Sequence, residues 1–520
     1  MTLAPVDWMI IAVYLVGCVV AGVWMKRYVR GVTDFAVAGR KMDLNLGIAS
    51  LAATELGIVT VMYTAEMGFN NGLAGATPGV LFCLAMLLVG TTGFVITPLR
   101  NAGVITIPEL FEKRFGTRVR WLAGLIMVLG GVLNMGIFLR LGGEFLLNVT
   151  GISQEYLEIT MTALLAIVLL YTVMGGMLSV LVTDYIQFLV MGLGIVVTSV
   201  LVIWSIGWSD LLSQLWEAHR GGAVLVEVAA EAGRPGKKLT MGDPFNPFSS
   251  HGLAWLTWQS LIMIAGVTTW QPMITRVLSA RDSRVAGQIY RRSCFYFVGR
   301  FALPGLWGAA AFLYFWQAGG LPEGVEGRTA MPVYLSTLLP TGIIGILVAA
   351  MLAAEMSTDS GYLLTWATVI YNDLMMPCLG RPPGPKAGLA IVRSLVVVIG
   401  LFLVFWGLWY EIPGTAWNYI AITGTIYEAG IFTLLAASLY WRGANRWGAY
   451  AALVLGALGP IYFLVVNSSG VERIAPEIAG LAGFGLSFAG MFFGSHLGRA
   501  LGLSHADPPS NTASTKEGKP

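Results

Sequence analysis

Charge is what this sequence has least of. Only 11% of its 520 residues are Asp, Glu, Lys or Arg, where soluble domains carry about a quarter, so a water-soluble globular class is excluded. Cysteine is scarce as well. Cys18, Cys83, Cys294 and Cys378 lie mostly in or beside apolar segments at no metal-type spacing, which excludes a disulfide framework and a zinc site and leaves them as small packing residues. The four histidines, His219, His251, His496 and His505, are scattered. With no metal cluster and no nucleophile constellation, an integral membrane enzyme has nothing to work with. No GxxxxGK[ST] segment follows a strand, so transport driven by ATP hydrolysis within this chain is not expected.

What the chain has instead is apolar length. Hydrophobic residues make up 56%, mean hydropathy is +0.74, and there are 65 glycines, a composition suited to closely packed membrane helices. Runs able to cross a bilayer, about 20 residues as helix, recur throughout. The first, Asp7 to Met25, has no Lys or Arg before it and Lys26, Arg27 and Arg30 after it. This reads as a retained helix with its N-terminus outside, not a cleaved signal. Twelve further spans are expected near 44–69, 74–98, 121–147, 155–174, 180–207, 252–274, 291–316, 336–370, 389–409, 414–441, 446–467 and 476–498. Thirteen crossings put the C-terminus in the cytoplasm. Alternate loops then collect the basic residues, among them Arg40, Lys41, Arg100, Lys113, Arg114, Arg118, Arg120, Arg276, Arg281, Arg381, Lys386, Arg442 and Arg446, as the positive-inside rule requires of a multi-pass protein of the plasma (inner) membrane. A single polytopic domain is expected over 1–503, followed by a disordered cytoplasmic tail over 504–520.

Polar residues inside these spans are costly, at least about 2.5–3.5 kcal/mol for each ionisable group, and they cluster. The second span is interrupted by Thr54, Glu55 and Gly57, with Thr60 following. That pattern suits a broken helix whose freed carbonyls hold a cation and whose half-helix ends face a solute; the alternative is a kink with Glu55 satisfied by a neighbour. Arg140 and Glu144 either neutralise each other at i,i+4 spacing or present Arg140 to a cavity. Arg300 either faces the cavity or snorkels to an interface. Thr183, Asp184 and Gln187 place a carboxylate where it can support a cation site. The seventh span is broken by Gly266 and Pro272 and carries Trp255, Trp258, Gln259, Thr269 and Trp270; the eleventh opens with Trp417, Asn418, Tyr419, Thr423 and Glu428. Each aromatic there lines a cavity or belongs to an interface belt. In Met351–Asp373, the Ala354 carbonyl and the Ser357 and Thr358 hydroxyls share one helical face. Those oxygens suit a hard cation such as Na⁺, or they hydrogen-bond back onto their own helix.

Five segments carry a resemblance. YTVMGGMLSVLVTDYIQFLVMGLG (171–194) and AAEMSTDSGYLLTWATVIYND (353–373) resemble the signatures of the sodium/solute symporter family, which includes sodium–glucose, sodium–proline, pantothenate and sialic acid transporters. TDFAVAGRKM (33–42), TIPELFEKRFG (106–116) and WQPMITRVLSARDS (270–283) are similar to its other blocks, in the same order. The resemblance implies an all-α integral membrane protein of the leucine-transporter type: a five-plus-five inverted repeat with one extra N-terminal and two extra C-terminal helices. The first repeat would cover about 44–207 and the second about 252–441. It implies a sodium site of the Ala53, Leu56 and Ala354 carbonyls with the Ser357 and Thr358 hydroxyls, supported by Asp184. Relatives that bind an additional sodium use Ser where this chain has Ala354, so one Na⁺ per solute is expected. Import by alternating access follows, with solute bound between the second, fourth, seventh and eleventh spans by a set drawn from Thr54, Glu55, Gly57, Thr60, Arg140, Trp258, Gln259, Thr269, Trp417 and Tyr419. Sugar, sugar acid, carboxylate, amino acid and amine all stay open as solutes, as do the roles of Arg300, Glu144 and Asp359. H⁺ coupling through Glu55 or Asp184 is the alternative, and a transporter-fold sensor a more distant one. No nucleic-acid partner and no obligate protein partner is expected.

Overall fold

The computed structural model describes residues 3–24, 32–227, 237–379, 383–410, 414–467 and 473–503. Lys26, Arg27, Arg30, Arg381 and the tail expected over 504–520 lie outside them.

Among the described residues, the regular structure is helical apart from one hairpin. Helix α1 (Pro5–Trp24) is followed by α2 (Leu44–Thr54), which starts where the Asp43 carboxylate accepts from the Leu46 N–H. After the break at 55–57 come α3 (Ile58–Asn71), α4 (Thr77–Thr92), the short α5 (Ile107–Phe115), α6 (Thr117–Met135) and α7 (Phe138–Thr150). Helix α8 (Leu157–Ile206) runs 50 residues. As a straight rod it would be about 75 Å long, more than twice a bilayer core. It is not straight: Gly176 stands at φ +53°, and a Cβ there would press into the Phe35 ring, so glycine alone lets the chain turn. Helix α9 (Trp208–Arg220) and an antiparallel pair, β1 (Val224–Glu227) with β2 (Lys237–Thr240), occupy the long polar segment.

The second half opens with α10 (Leu253–Thr269) and α11 (Gln271–Ser279), separated at Trp270, whose backbone is extended. Pro272 fits the first turn of α11, where its missing N–H costs nothing. Then follow α12 (Ser283–Gln317), started by an Asp282 cap, α13 (Gly327–Leu338), α14 (Ile343–Val369), α15 (Pro385–Trp409), α16 (Ala416–Tyr440) and a closing pair, α17 (Arg446–Val466) and α18 (Pro476–Ala500).

Among the described residues, eleven continuous helical stretches are long and apolar enough to cross a membrane, where thirteen spans were expected. Several of the eleven are composite: Ile58–Thr92 joins α3 to α4 through a tight turn, Thr117–Thr150 joins α6 to α7, Gln154–Ile206 contains the Gly176 bend, and Leu253–Ser279 joins α10 to α11 across Trp270. The thirteen expected crossings are therefore not matched by the count of unbroken helices.

Burial sorts centre from periphery. In the most apolar windows of Leu253–Ser279 and Ile343–Cys378, 89% of residues are buried within the protein, against 22% for α1. Outward-facing though it is, α1 has a polar seam. Asp7 is 1% exposed, and its Oδ1 accepts from the N–H groups of Gly342 (2.7 Å) and Gly345 (2.9 Å), capping α14 from another helix. Further along, the Tyr14 hydroxyl meets the Met356 sulfur at 3.6 Å. Capping exchanges typically cost about 1–2 kcal/mol, so Asp7→Ala should lower unfolding stability by that order in detergent, measured by tryptophan fluorescence. An unshifted unfolding transition would show that the cap is idle.

Several of the basic residues assigned to inner loops bridge one segment to another. Arg40 donates to the Gly103 and Val104 carbonyls, Arg100 to those of Ala280 and Arg281, and Arg120 pairs with Asp373 at 2.9 Å. Two of them are more than loop charges. Arg114 is 7% exposed and donates to the carbonyls of Ala437, Ser438, Trp441 and Ala444, satisfying the end of α16. Arg276 is 1% exposed, deep in the protein. Its placement in a solvated loop is corrected: α11 continues through it to Ser279, and its Nη1 donates to the Pro272 carbonyl one turn back at 3.0 Å.

Candidate functional site

Two hydroxyls from α14 reach across to the break between α2 and α3. Ser357 Oγ donates to the Ala53 carbonyl at 2.9 Å and to the Ala354 carbonyl at 3.0 Å. Thr358 Oγ1 donates to the Thr54 carbonyl at 2.9 Å. All of these residues are buried. The approach needs Gly57, since a Cβ there would stand 2.9 Å from Thr358 Oγ1. Leu56 is buried at the same break, and its N–H donates to the Ala53 carbonyl at 3.3 Å. Of the pair's two readings, the bond back onto its own helix is present at Ser357, which at the same time bonds a helix more than 300 residues away in sequence. Hydroxyl and carbonyl oxygens converge here without a fixed positive charge among them, a donor set that suits Na⁺.

Asp184 lies beside this cluster and makes no contact with its hydroxyls. It accepts from Ser50 Oγ at 2.6 Å and Thr54 Oγ1 at 3.2 Å, and Arg276 Nη2 stands 3.5 Å away. Arg276 Nη2 also donates to Thr54 Oγ1. The Thr54 side chain is therefore spent on an ion pair, which corrects its expected role in holding solute; what Thr54 offers the centre is its carbonyl.

A cavity opens next to Thr358, walled by α3, α4, α6, α7, α10, α12, α14 and α16. Of the residues expected to meet solute, Glu55, Thr60 and Trp417 line it. Gly57 stands behind it, under Thr358. Five others are placed elsewhere. Arg140 pairs with Glu144 at 3.1 Å and donates to the Gly407 and Tyr410 carbonyls, so of its two readings the neutralised pair holds. Trp258 is packed flat on Gly480. Gln259 is fully buried away from the cavity wall. Thr269 returns its hydroxyl to the Ala265 carbonyl at 2.8 Å, and the Tyr419 hydroxyl donates to the Leu133 carbonyl at 2.6 Å.

Arg300, left open between cavity and interface, lines the cavity. It donates to Tyr63 at 3.0 Å and Thr60 at 3.2 Å, and its Nη1 stands 3.5 Å from Glu55 Oε2. Glu55 is thus paired with a neighbour through Oε2 while remaining on the wall, and its Oε1 has no hydrogen-bond partner among the described residues. Sequence reasoning did not commit Glu428, Tyr63, Trp270 or Tyr362 to the site, yet all four line the cavity. The signal available was weak: a carboxylate about three turns into an apolar span, and aromatics that an interface belt explains equally well.

Comparison with known proteins agrees with this architecture. The family model described as Sodium:solute symporter family matches residues 35–456. A sodium/glucose cotransporter of Vibrio parahaemolyticus is 26% identical over 473 residues, covering 87% of this chain and 84% of that protein. The osmoregulated proline transporter OpuE of Bacillus subtilis is 25% identical over 495 residues, covering 90% and 91%. Among solved structures, the substrate-bound outward-open state of a Na⁺-coupled sialic acid symporter superposes with a TM-score of 0.78 at 19% identity, covering 95% of this chain and 98% of that one. MhsT in complex with L-phenylalanine gives 0.52 at 13%, covering 88% and 98%. These likenesses show the leucine-transporter-type fold, all-α and membrane-embedded. The chain belongs to the sodium:solute symporter family, a family of multi-pass membrane transporters and not of enzymes, in which Na⁺ is the coupling ion.

Proposed function

We propose that this protein imports one small organic solute with one Na⁺ per cycle by alternating access, across a plasma (inner) membrane with its N-terminus outside and C-terminus in the cytoplasm. The observation that carries this reading is the pair of contacts from Ser357 and Thr358 to the carbonyls at the α2–α3 break. A sodium ion held by the Ala53, Leu56 and Ala354 carbonyls and the two hydroxyls would tie the first repeat, about 44–207, to the second, about 252–441. On ion entry the hydroxyl hydrogens turn away and their lone pairs face the metal. Asp184 supports the site from one layer out, through Ser50 and Thr54. Solute occupies the neighbouring cavity, with Glu55, Thr60 and Trp417 on its wall. Ion binding then favours the arrangement in which the halves are joined around the solute, and departure of the ion on the far side releases it. Each charge moved inward draws about 2.3 kcal/mol per 100 mV of membrane potential.

The test is uptake of a radiolabelled solute panel into proteoliposomes with an inward Na⁺ gradient and without one. Uptake should require the gradient; accumulation driven by a pH difference with sodium absent would overturn the reading. Ser357→Ala and Thr358→Ala each delete one oxygen ligand. Hydrogen-bond-scale contacts to a charge are worth about 1.5–3 kcal/mol, so half-saturating Na⁺ should rise about tenfold or more in each variant. Wild-type sodium dependence in both would remove the ion from this pocket.

A further inference from the structure

We infer that the solute is an organic cation, an ammonium group on an apolar body, held by the Glu428 carboxylate against the aromatic wall of the cavity. The inference rests on the reading that this cavity is the solute site.

The argument is a charge balance on the wall. Three ionisable side chains face the cavity: Glu55, Arg300 and Glu428. Glu55 and Arg300 face each other at 3.5 Å, and Arg300 Nη2 reaches Thr60 and Tyr63, while its Nε has no hydrogen-bond partner among the described residues. Arg140 is held outside by Glu144. Both arginines that would favour an anionic solute are therefore already paired, and no other cation lines the wall among the described residues. Glu428 is the member left over. It is 4% exposed, and its Oε2 has no hydrogen-bond partner among the described residues. Added Cβ atoms at Gly266 and Gly424 would lie 3.5 Å from Oε1, so the carboxylate lies beside two glycines, one on α10 and one on its own helix α16.

A carboxylate withdrawn from water without a partner costs several kcal/mol. The cheapest way to keep one is to have its partner arrive from outside. The rest of the wall suits that partner's body. Tyr63 and Trp417 pack with centroids 4.9 Å apart, and Trp270 and Tyr362 at 5.4 Å; such faces attract ammonium groups. A polyol would instead need many free donors and acceptors. The polar groups present are largely engaged: Asn134 Nδ2 donates to the Ile420 carbonyl at 2.8 Å and to Thr423 at 3.0 Å, and the Thr60 hydroxyl donates to the Glu55 carbonyl at 3.3 Å. Sugars and sugar acids therefore fit this wall less well than an amine does.

The test uses full-length protein in proteoliposomes with an inward Na⁺ gradient, and the probes are phenethylamine, trimethylphenylammonium, glucose and lactate. At least one cation should be taken up at ten times or more the rate of glucose and lactate. Glu428→Gln should weaken the half-saturating concentration of that cation at least tenfold, while Glu428→Asp, which keeps the charge, recovers most of it. Binding of ²²Na⁺ to Glu428→Gln should match wild type, which shows that the variant is folded. Uptake of glucose or lactate with neither cation carried overturns the inference, as does an unchanged cation affinity in Glu428→Gln. Loss of ²²Na⁺ binding by wild-type protein would instead strike the sodium-coupling assignment, so the two failures are told apart.

Discussion

Methionine in place of Arg276 is expected to destabilise the protein by about 3–5 kcal/mol, the usual consequence of leaving one member of a buried ion pair without the other. Arg276 is 1% exposed and Asp184 is fully buried. The guanidinium joins Asp184, Ser50, Thr54 and the Pro272 carbonyl, so it links α2, α8 and the α10–α11 break in one cluster. Methionine keeps the bulk of the side chain and removes every donor. Asp184 would then retain only two hydroxyl partners in an apolar interior. The double variant Arg276→Met/Asp184→Asn should recover much of the loss, because the stranded charge is gone. Thermal unfolding in detergent, followed by tryptophan fluorescence, measures both. If the single and double variants were equally unstable, the cost would lie in the Pro272 and Thr54 contacts and not in charge. A single variant as stable as wild type would show the pair to be energetically idle.

The second large effect is steric. Alanine at Gly308 would drive its Cβ into the Ala65 carbonyl, and alanine at Gly68 into the Gly305 carbonyl. Helices α3 and α12 thus meet backbone to backbone, as small residues allow in membranes. Overpacking commonly costs about 1–3 kcal/mol and more where nothing can give. Here the obstacle is main chain, so Gly308→Ala is expected at or above the top of that range, with much reduced yield of folded protein. Gly305 lies on the same helix, and its added Cβ would reach no closer than 3.5 Å, to the Thr64 carbonyl. Gly305→Ala should therefore be nearly silent. Size-exclusion profiles of the two variants read the contrast directly; equal behaviour would mean that α3 and α12 separate easily.

The legible parts of this protein are those written into local chemistry. Low charge and long apolar runs give the membrane class, and the glycine and proline interruptions at Gly57 and Pro272 fall beside the two broken helices. The bend at Gly176 lies between the spans drawn at 155–174 and 180–207. Ser357 stands against Ala53, a neighbour the resemblance implied, and Thr358 against Thr54, which the resemblance did not place there. What could not be read is which face of a central helix meets the cavity. A helix buried all round has no amphipathic stripe, and α14 and α10 are of that kind. Trp258 and Trp417 look alike in sequence, yet one packs on Gly480 and the other lines the cavity. Arg276 and Arg300 were misjudged or left open for a related reason. Their partners, Asp184 and Glu55, lie 92 and 245 positions away, and only the folded chain brings them together.

The seam on α1 has a bearing on where the protein can be handled. A helix that turns most of its surface to hydrocarbon still touches Met356, the immediate neighbour of Ser357, through Tyr14, and crowns the start of α14 through Asp7. Bilayer thickness and tension act first on such outlying helices. Two side chains thus fasten the least buried of the eleven spans to the helix that carries Ser357 and Thr358.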